Sequence, residues 1–326
     1  MSGYALDPEV AAALADLGGR APIASPASRG DWRTLRENGT AGMQFASTLL
    51  PNFPREFPTV RSRAWTVTTD DDAQIELRWF EATGSTPGSA VFMPMAGEWC
   101  WGAWTSTHPS WRLTSPPPGF PFLAVEYRLA PEAQGEVPVR DVLTATTWLV
   151  EHATELGVDP SRIAVMGDSA GGGLACGVAL LCRDQELALA RQILICPMLD
   201  DRTVVANPAL TPFLSWSYDD NATGWSALLG DGDAAVDSAV AVPARATNLE
   251  RVAPAYLEVG ELVISHADHA PHRRHYSRIQ VRSIIFDRCG SFPEGTTVPT
   301  IRTRAPGPPA FAAVVRIRPA DSSSQS

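Results

Sequence analysis

Long apolar runs are missing from this chain. No stretch approaches the ~18 consecutive apolar residues that a membrane-spanning helix needs. The opening, MSGYALDPEVAAALADLGGR, carries Asp7 and Glu9 and lacks the basic start and apolar run of a secretory signal, so none is expected here. Positive charge is also short: 26 Lys and Arg face 36 Asp and Glu, a net charge of −10. That excess repels the phosphates of nucleic acid and an anionic membrane surface, and neither is an expected partner. Cysteine is scarce and has no CxxC spacing. Its five copies (Cys100, Cys176, Cys182, Cys196, Cys289) are odd in number and scattered. They fit reduced thiols in a cytoplasmic protein better than a disulfide framework or a metal site. The sequons at Asn38 and Asn221 are then chance matches, and no internal repeat is present.

What remains is globular in composition, with 44% hydrophobic and 19% charged residues. Residues 1–60 read as helices broken by Pro- and Gly-rich loops. AWTVTT and AQIELRWFEA alternate around Asp70-Asp71-Asp72 and predict a hairpin. GSAVFM opens another strand, and PFLAVEYRL is a continuous apolar run of the kind a parallel sheet buries on both faces. VRDVLTATTWLVEHATELG predicts an amphipathic helix that stops at Gly157. RIAVMGDS, RQILICPML and PAYLEVGEL predict strands, with AGGGLACGVALLCRD a helix between the first two. Strands alternating with helices predict the α/β class, with a mostly parallel central sheet flanked by helices. Residues 200–246 carry aromatics and loop residues but no clear strand, and read as a lid-like insertion in a core spanning 61–262. The tail, 263–326, is divergent, with one candidate strand (QVRSIIFD) and an expectation of poor order.

Met166-Gly167-Asp168-Ser169-Ala170-Gly171 lies between the strand RIAV and the helix that follows. This is G-x-S-x-G at a strand-to-helix turn, the context in which the motif lifts a serine hydroxyl above a sheet. Glycines two before and two after the serine relieve crowding. The helix N-terminus points backbone N–H groups, Ala170 among them, at any negative charge formed on a substrate. A bare match would leave Ser169 as a helix cap, but the strand and helix in this order favour a nucleophile.

GDSAGGG, YRLAPE (Tyr127 to Glu132), the segment Gly157-Val158-Asp159-Pro160-Ser161-Arg162-Ile163 and CPMLDDRT together resemble the hormone-sensitive-lipase-like branch of the α/β-hydrolases. The resemblance runs from about Ala64 to Leu262, except for the stretch Val91–Trp111. It implies an α/β-hydrolase fold with a helical N-terminal cap and a serine esterase acting on small or short-acyl esters. It implies no metal and no organic cofactor. It also implies Ser169 as the nucleophile and the Ala170 N–H as an oxyanion donor. Acyl and alcohol specificity stay open, as does the oligomeric state, with a homodimer among the expectations.

The family places HGGG just after the strand that GSAVF begins. By position that motif falls on Met95-Ala96-Gly97-Glu98, where only Gly97 matches. The Ala96 and Gly97 N–H groups could still serve as oxyanion donors, although Glu98 puts a carboxylate beside a site built for an anion. Four of the ten tryptophans (Trp99, Trp101, Trp104, Trp111) follow at once. Back-translated and read from the third base of each triplet, PMAGEWCWGAWT can encode HGGGMVLGSVD. The genetic code forces the first glycine, the valine and leucine of MVL, the glycine after them and the aspartate. Residues from about Met93 to Gly119 are therefore read as translated out of frame, and the tryptophans as G-rich codons. The alternative is a selected aromatic loop packed around a ligand.

A serine nucleophile needs a base, and the base needs an orienting acid. The family's acid follows EVGEL, where this chain has Val263; the nearest carboxylate beyond is Asp268. The family's histidine follows the last strand, and here no histidine occurs after His275. His266, His269, His272 and His275 recur every third residue, a spacing that drifts around a helix and is broken by Pro271, so they offer no common metal face. The plain reading is solvated histidines; the sharper one is a substitute base, His266 or His269, oriented by Asp268. A second frame change near Val263 would account for the tail. The alternative function is a degenerate hydrolase homologue that binds a small hydrophobic ligand or has no activity. Sequencing the coding DNA is expected to reveal two compensating indels, or a splice choice, that restore HGGG; a gene in which neither exists removes the out-of-frame reading.

Overall fold

The computed structural model describes residues 26–49, 60–82, 88–94, 121–230, 237–259 and 280–281, with single positions at 12, 15 and 264. The hairpin around the aspartate run is present. β1 (Val60–Thr68) and β2 (Gln74–Ala82) pair antiparallel from Val60↔Ala82 to Thr68↔Gln74. β1 begins four residues before the alternating run that predicts it, so a boundary at 60/61 falls inside a strand.

Six more strands complete the sheet: β3 (Gly88–Pro94), β4 (Phe122–Glu126), β5 (Val158–Asp168), β6 (Arg191–Ile195), β7 (Ala255–Glu258) and β8 (Gln280–Val281). Their order is β1-β2-β4-β3-β5-β6-β7-β8. Only β2 runs against its neighbours; every pair from β4 to β8 is parallel. The expected mostly parallel sheet is borne out. Of the expected strand QVRSIIFD the structure describes Gln280–Val281, which pair with β7 as β8. The described helices are α1 (Trp32–Leu49), α2 (Val137–Glu151), α3 (Ser169–Asp184) and α4 (Tyr218–Leu229).

Three local readings differ from the sequence expectation. First, α2 ends at Glu151 rather than Gly157, and residues 152–157 turn back on themselves. Ala153 and Leu156 stay buried, which prolongs the apolar period past the helix. Gly157, at φ +70°, then reverses the chain so that Val158 can enter the sheet. Second, β5 starts at Val158 and not at Arg162. Gly88 pairs with Val158 and Ala90 with Ile163, so Asp159–Arg162 bulge between them. Third, the insertion 200–246 contains a full helix, α4. Its start is a capping box: Ser217 Oγ accepts from the Asp220 N–H, and the Asp220 carboxylate accepts from the Ser217 N–H.

α3 is buried from Ala170 to Cys182, packed between the sheet and its neighbouring helices. Trp79, Phe92, Leu123, Ile163 and Leu174 are almost wholly enclosed, each burial contributing about 1.5–3 kcal/mol. None of the three described cysteines is in a disulfide: Cys176 and Cys182 are buried, and burial pushes the Cys182 thiol up to about 12. One polar junction joins the hairpin to the core. Arg128 donates from Nη2 to Asp141 Oδ1 at 2.7 Å and from its backbone N–H to Oδ2 at 2.9 Å. It also donates to both carboxylate oxygens of Asp71 at 2.8 and 3.0 Å. The Arg128 and Thr69 hydrogen bonds hold the Asp71 carboxyl down at about 2. Asp141 has no exposed surface, whereas Asp71 is half open to water. Asp141→Ala is therefore expected to lower the unfolding free energy in urea by about 3 kcal/mol. Asp71→Asn is expected to leave the midpoint almost unmoved at pH 7, because water screens that pair.

Candidate active site

The chain leaves β5 at Asp168, the C-terminal end of a central strand, and enters α3 at the next residue. There is no loop between them. Ser169 takes φ +49°, a left-handed conformation that costs a non-glycine residue about 1–2 kcal/mol. The surroundings compel it. A Cβ on Gly167 would lie 2.2 Å from the Gly171 carbonyl oxygen, and one on Gly172 would lie 2.7 Å from Pro197 Cβ. Strand end, helix start and the turn after β6 thus meet backbone to backbone. That third piece is held by the Met198 N–H, which donates to the Ser169 carbonyl at 2.9 Å, after Cys196 has itself turned left-handed at φ +43°. Ser169 is half-buried, and Ala170 behind it is fully buried.

Asp168 occupies the N-cap position of α3 in extended backbone, φ −115° and ψ 151°, yet its side chain makes no capping hydrogen bond. An N-cap aspartate ordinarily occupies the first helix amides. Here the Asp168 carboxylate does not occupy them, and the helix dipole favours an anion at that spot. Desolvation pushes the Asp168 carboxyl up to about 6, with only its own backbone N–H pulling the other way.

Of the residues expected at the site from sequence, the structure places Ser169 and Ala170 together at the β5–α3 turn. Ala96, Gly97, His266 and Asp268 lie outside the described residues, as do Val263, the tryptophan-rich stretch 95–120 and most of 263–326. His152, the one described histidine, sits at the C-cap of α2, stacked on Trp148 with ring centroids 4.3 Å apart. Its Nδ1 lies 2.8 Å from the Trp148 carbonyl, a contact within its own helix turn. Among the described residues no group of three or more His, Cys, Asp or Glu could hold a metal ion. The close approach of Gly167 and Gly171 was partly visible in the motif; that of Gly172 to Pro197, and the role of Met198, were not, because those residues reach the elbow only through β6.

Two outcomes follow from this geometry. Gly167→Ala is expected to prevent folding to the native state, read as loss of near-ultraviolet circular dichroism, since the clash is with backbone and cannot be relieved by a rotamer. Asp168 has a folded pKa above its ordinary value of 3.8, so the native state holds its proton more tightly, and stability is lost as pH rises from about 4 through 6. Asp168→Asn is expected to raise stability by up to about 3 kcal/mol at pH 7.5 and to change nothing at pH 3.5. Melting temperatures of the two proteins at both pH values check this.

The comparisons with known proteins agree with this arrangement. The family model described as alpha/beta hydrolase fold matches residues 95–282, more than half of the chain. An arylesterase of Saccharolobus solfataricus is 32% identical over 129 residues, 40% of this chain and 42% of the relative. An ethyl acetate hydrolase of Pseudomonas putida is 38% identical over 141 residues, 41% of this chain and 44% of the relative. The matched region thus spans less than half the length of these curated relatives. Among solved structures, a bacterial heroin esterase superposes with a TM-score of 0.69 at 31% identity, over 83% of this chain and 84% of the other. A family match over more than half the sequence, and a likeness to a solved esterase along most of both chains, leave one assignment: the chain belongs to the alpha/beta hydrolase fold family.

Proposed function

We propose that this protein is a serine hydrolase of small carboxylic esters, with Ser169 as its nucleophile. The observation that carries the reading is the strained turn itself. A serine held at φ +49° between β5 and α3, with glycine backbone packed against it, costs stability that ordinary helix capping does not require. The relatives' names supply the substrate class: an arylesterase, an ethyl acetate hydrolase and a heroin esterase all point to small esters. The protein would work in the cytoplasm, on a free small molecule, with no metal or organic cofactor. No described helix is long and apolar enough to cross a membrane. In this reading residues 1–60 and the insertion 200–246 form a cap over a core that extends to about residue 262.

In the reaction, Ser169 Oγ attacks the acyl carbonyl carbon while a base takes the hydroxyl proton. The carbonyl oxygen becomes an oxyanion held by the Ala170 N–H, with the Ala96 and Gly97 N–H groups as the proposed further donors. Collapse of the tetrahedral intermediate expels the alcohol, which receives the proton from the base. Water then attacks the acyl-serine by the same sequence in reverse. The proposed base is His266, oriented by Asp268.

A second reading has its own support. Val263 stands where the family's acid follows EVGEL, and no histidine occurs beyond His275. A chain without a triad acid and base keeps the elbow, and in this reading would bind a small hydrophobic ligand without turning it over. Loss of triad members still leaves roughly 10³–10⁴-fold acceleration over water in serine hydrolases, so weak turnover fits an impaired esterase.

The two readings separate on Ser169. Hydrolysis of p-nitrophenyl butyrate by the full chain is expected to be slow and to disappear in Ser169→Ala, with His266→Ala reducing it further than His269→Ala. Equal rates in the wild type and Ser169→Ala would leave the ligand-binding reading in place.

A further inference from the structure

Arg36 makes three hydrogen bonds to one loop of the core. Its Nη1 and Nη2 donate to the two carboxylate oxygens of Glu132 at 2.8 and 2.7 Å, and Nη2 also donates to the Ala130 carbonyl at 2.8 Å. Trp32, one turn earlier on α1, lies beside the guanidinium, with its ring centroid 4.7 Å away. Arg36 is thus held from two sides. These bonds hold down the Glu132 carboxyl, with the Arg36 hydrogen bond the largest cause.

The same loop grips α4. The Gly135 N–H donates to the Leu228 carbonyl at 2.7 Å, and Gln134 Nε2 donates to the Ala227 carbonyl at 3.3 Å. α1 and α4 are joined directly as well, where the Gly30 N–H donates to Thr223 Oγ1 at 2.8 Å. Three segments therefore close a triangle: the start of α1, the loop after β4, and α4. Both the loop after β4 and the segment leading to α4 leave the C-terminal edge of the sheet, the edge from which Ser169 projects. Ligands of open α/β sheets bind at that edge.

Among the described side chains of α1 only Leu35 is fully buried, with Trp32 packed partly against the same core. A helix whose described side chains are mostly exposed or half-buried gains orientation from such a polar attachment. Lysine would keep the charge at position 36 but could not reach both carboxylate oxygens and a carbonyl in one planar fork.

We propose that Arg36 is a positioning residue: by clasping Glu132 and Ala130 it fastens α1 and α4 as one unit to the loop after β4, and so sets the opening above Ser169. The part concerning Ser169 rests on the function proposed above; the clasp itself does not. The test compares the full wild-type chain with R36K and E132Q. Amide hydrogen exchange of residues 30–45 and 218–229 is expected to quicken about tenfold in both variants, while β5 and α3 amides stay unchanged. Exchange that quickens in α1 alone, or in neither helix, overturns the clasp. In parallel, Ser169 is labelled with ethyl and octyl p-nitrophenyl phosphonates, with Ser169→Ala as the blank. The ratio of the two labelling rates is expected to shift several-fold in R36K. A merely structural contact would leave that ratio unchanged, and an unchanged ratio in labelled protein overturns the positioning role. A wild type that takes no label defeats the nucleophile reading instead, and the exchange data then decide the clasp by themselves.

Discussion

At Gly167 and Gly172, on either side of the turn from β5 into α3, there is no space for a side chain, and much of the molecule is arranged around that fact. Gly167 faces the Gly171 backbone and Gly172 faces Pro197, so three main-chain segments approach more closely than any Cβ allows. The approach forces Ser169 into a left-handed conformation and keeps Asp168 from folding over the helix amides. It also sets where α3 runs. A helix that starts directly at the sheet edge must pass back beneath it, and α3 is accordingly buried along almost its whole length. Strain at the turn is tolerated because the central strands β3, β5 and β6 hold their ends in register on both sides.

Electrostatics follow from the same crowding. Asp168 is denied both a cap and a described cation, and its carboxyl is pushed up towards neutrality. Charges elsewhere are treated differently. Arg128 shares its fork between a buried and an exposed aspartate, and Arg36 spans a carboxylate and a carbonyl. Both arginines join pieces that are distant in sequence: Arg128 belongs to the stretch that follows β4, and Arg36 contacts it. That stretch is a junction for the hairpin, for α1 and for α4. Its YRLAPE sequence thus carries fastening contacts as much as a bend in the chain.

The legible part of this protein was local. G-x-S-x-G between a β-branched strand and a small-residue helix names a turn whose geometry is decided within six residues, and the hairpin around Asp70–Asp72 is decided within about twenty. Contacts over longer spans were not legible. The apolar period of α2 ran on through Ala153 and Leu156, which are buried in a turn and not in a helix. The bulge at Asp159–Arg162 answers to the register of β3 on the next strand. α4 hid in a segment rich in loop residues, although Ser217 and Asp220 spell its cap. Pro197 and Met198, which close the elbow from behind, carry no motif.

Sequence alone determined the family, the sheet's parallel character and the serine at its centre, because each depends on residue types at short, fixed spacings. It also determined what is missing: the glycines expected at Met95–Glu98, an acid at Val263 and a histidine beyond His275. Only the tertiary structure decided that Asp168 would be an uncapped, desolvated carboxyl, and that α1 would be fastened to the loop after β4 and to α4. Those outcomes depend on which distant segments exclude water and which carbonyls remain to accept a bond. A linear pattern does not carry that information, since burial and pairing arise only when the sheet brings its strand ends together.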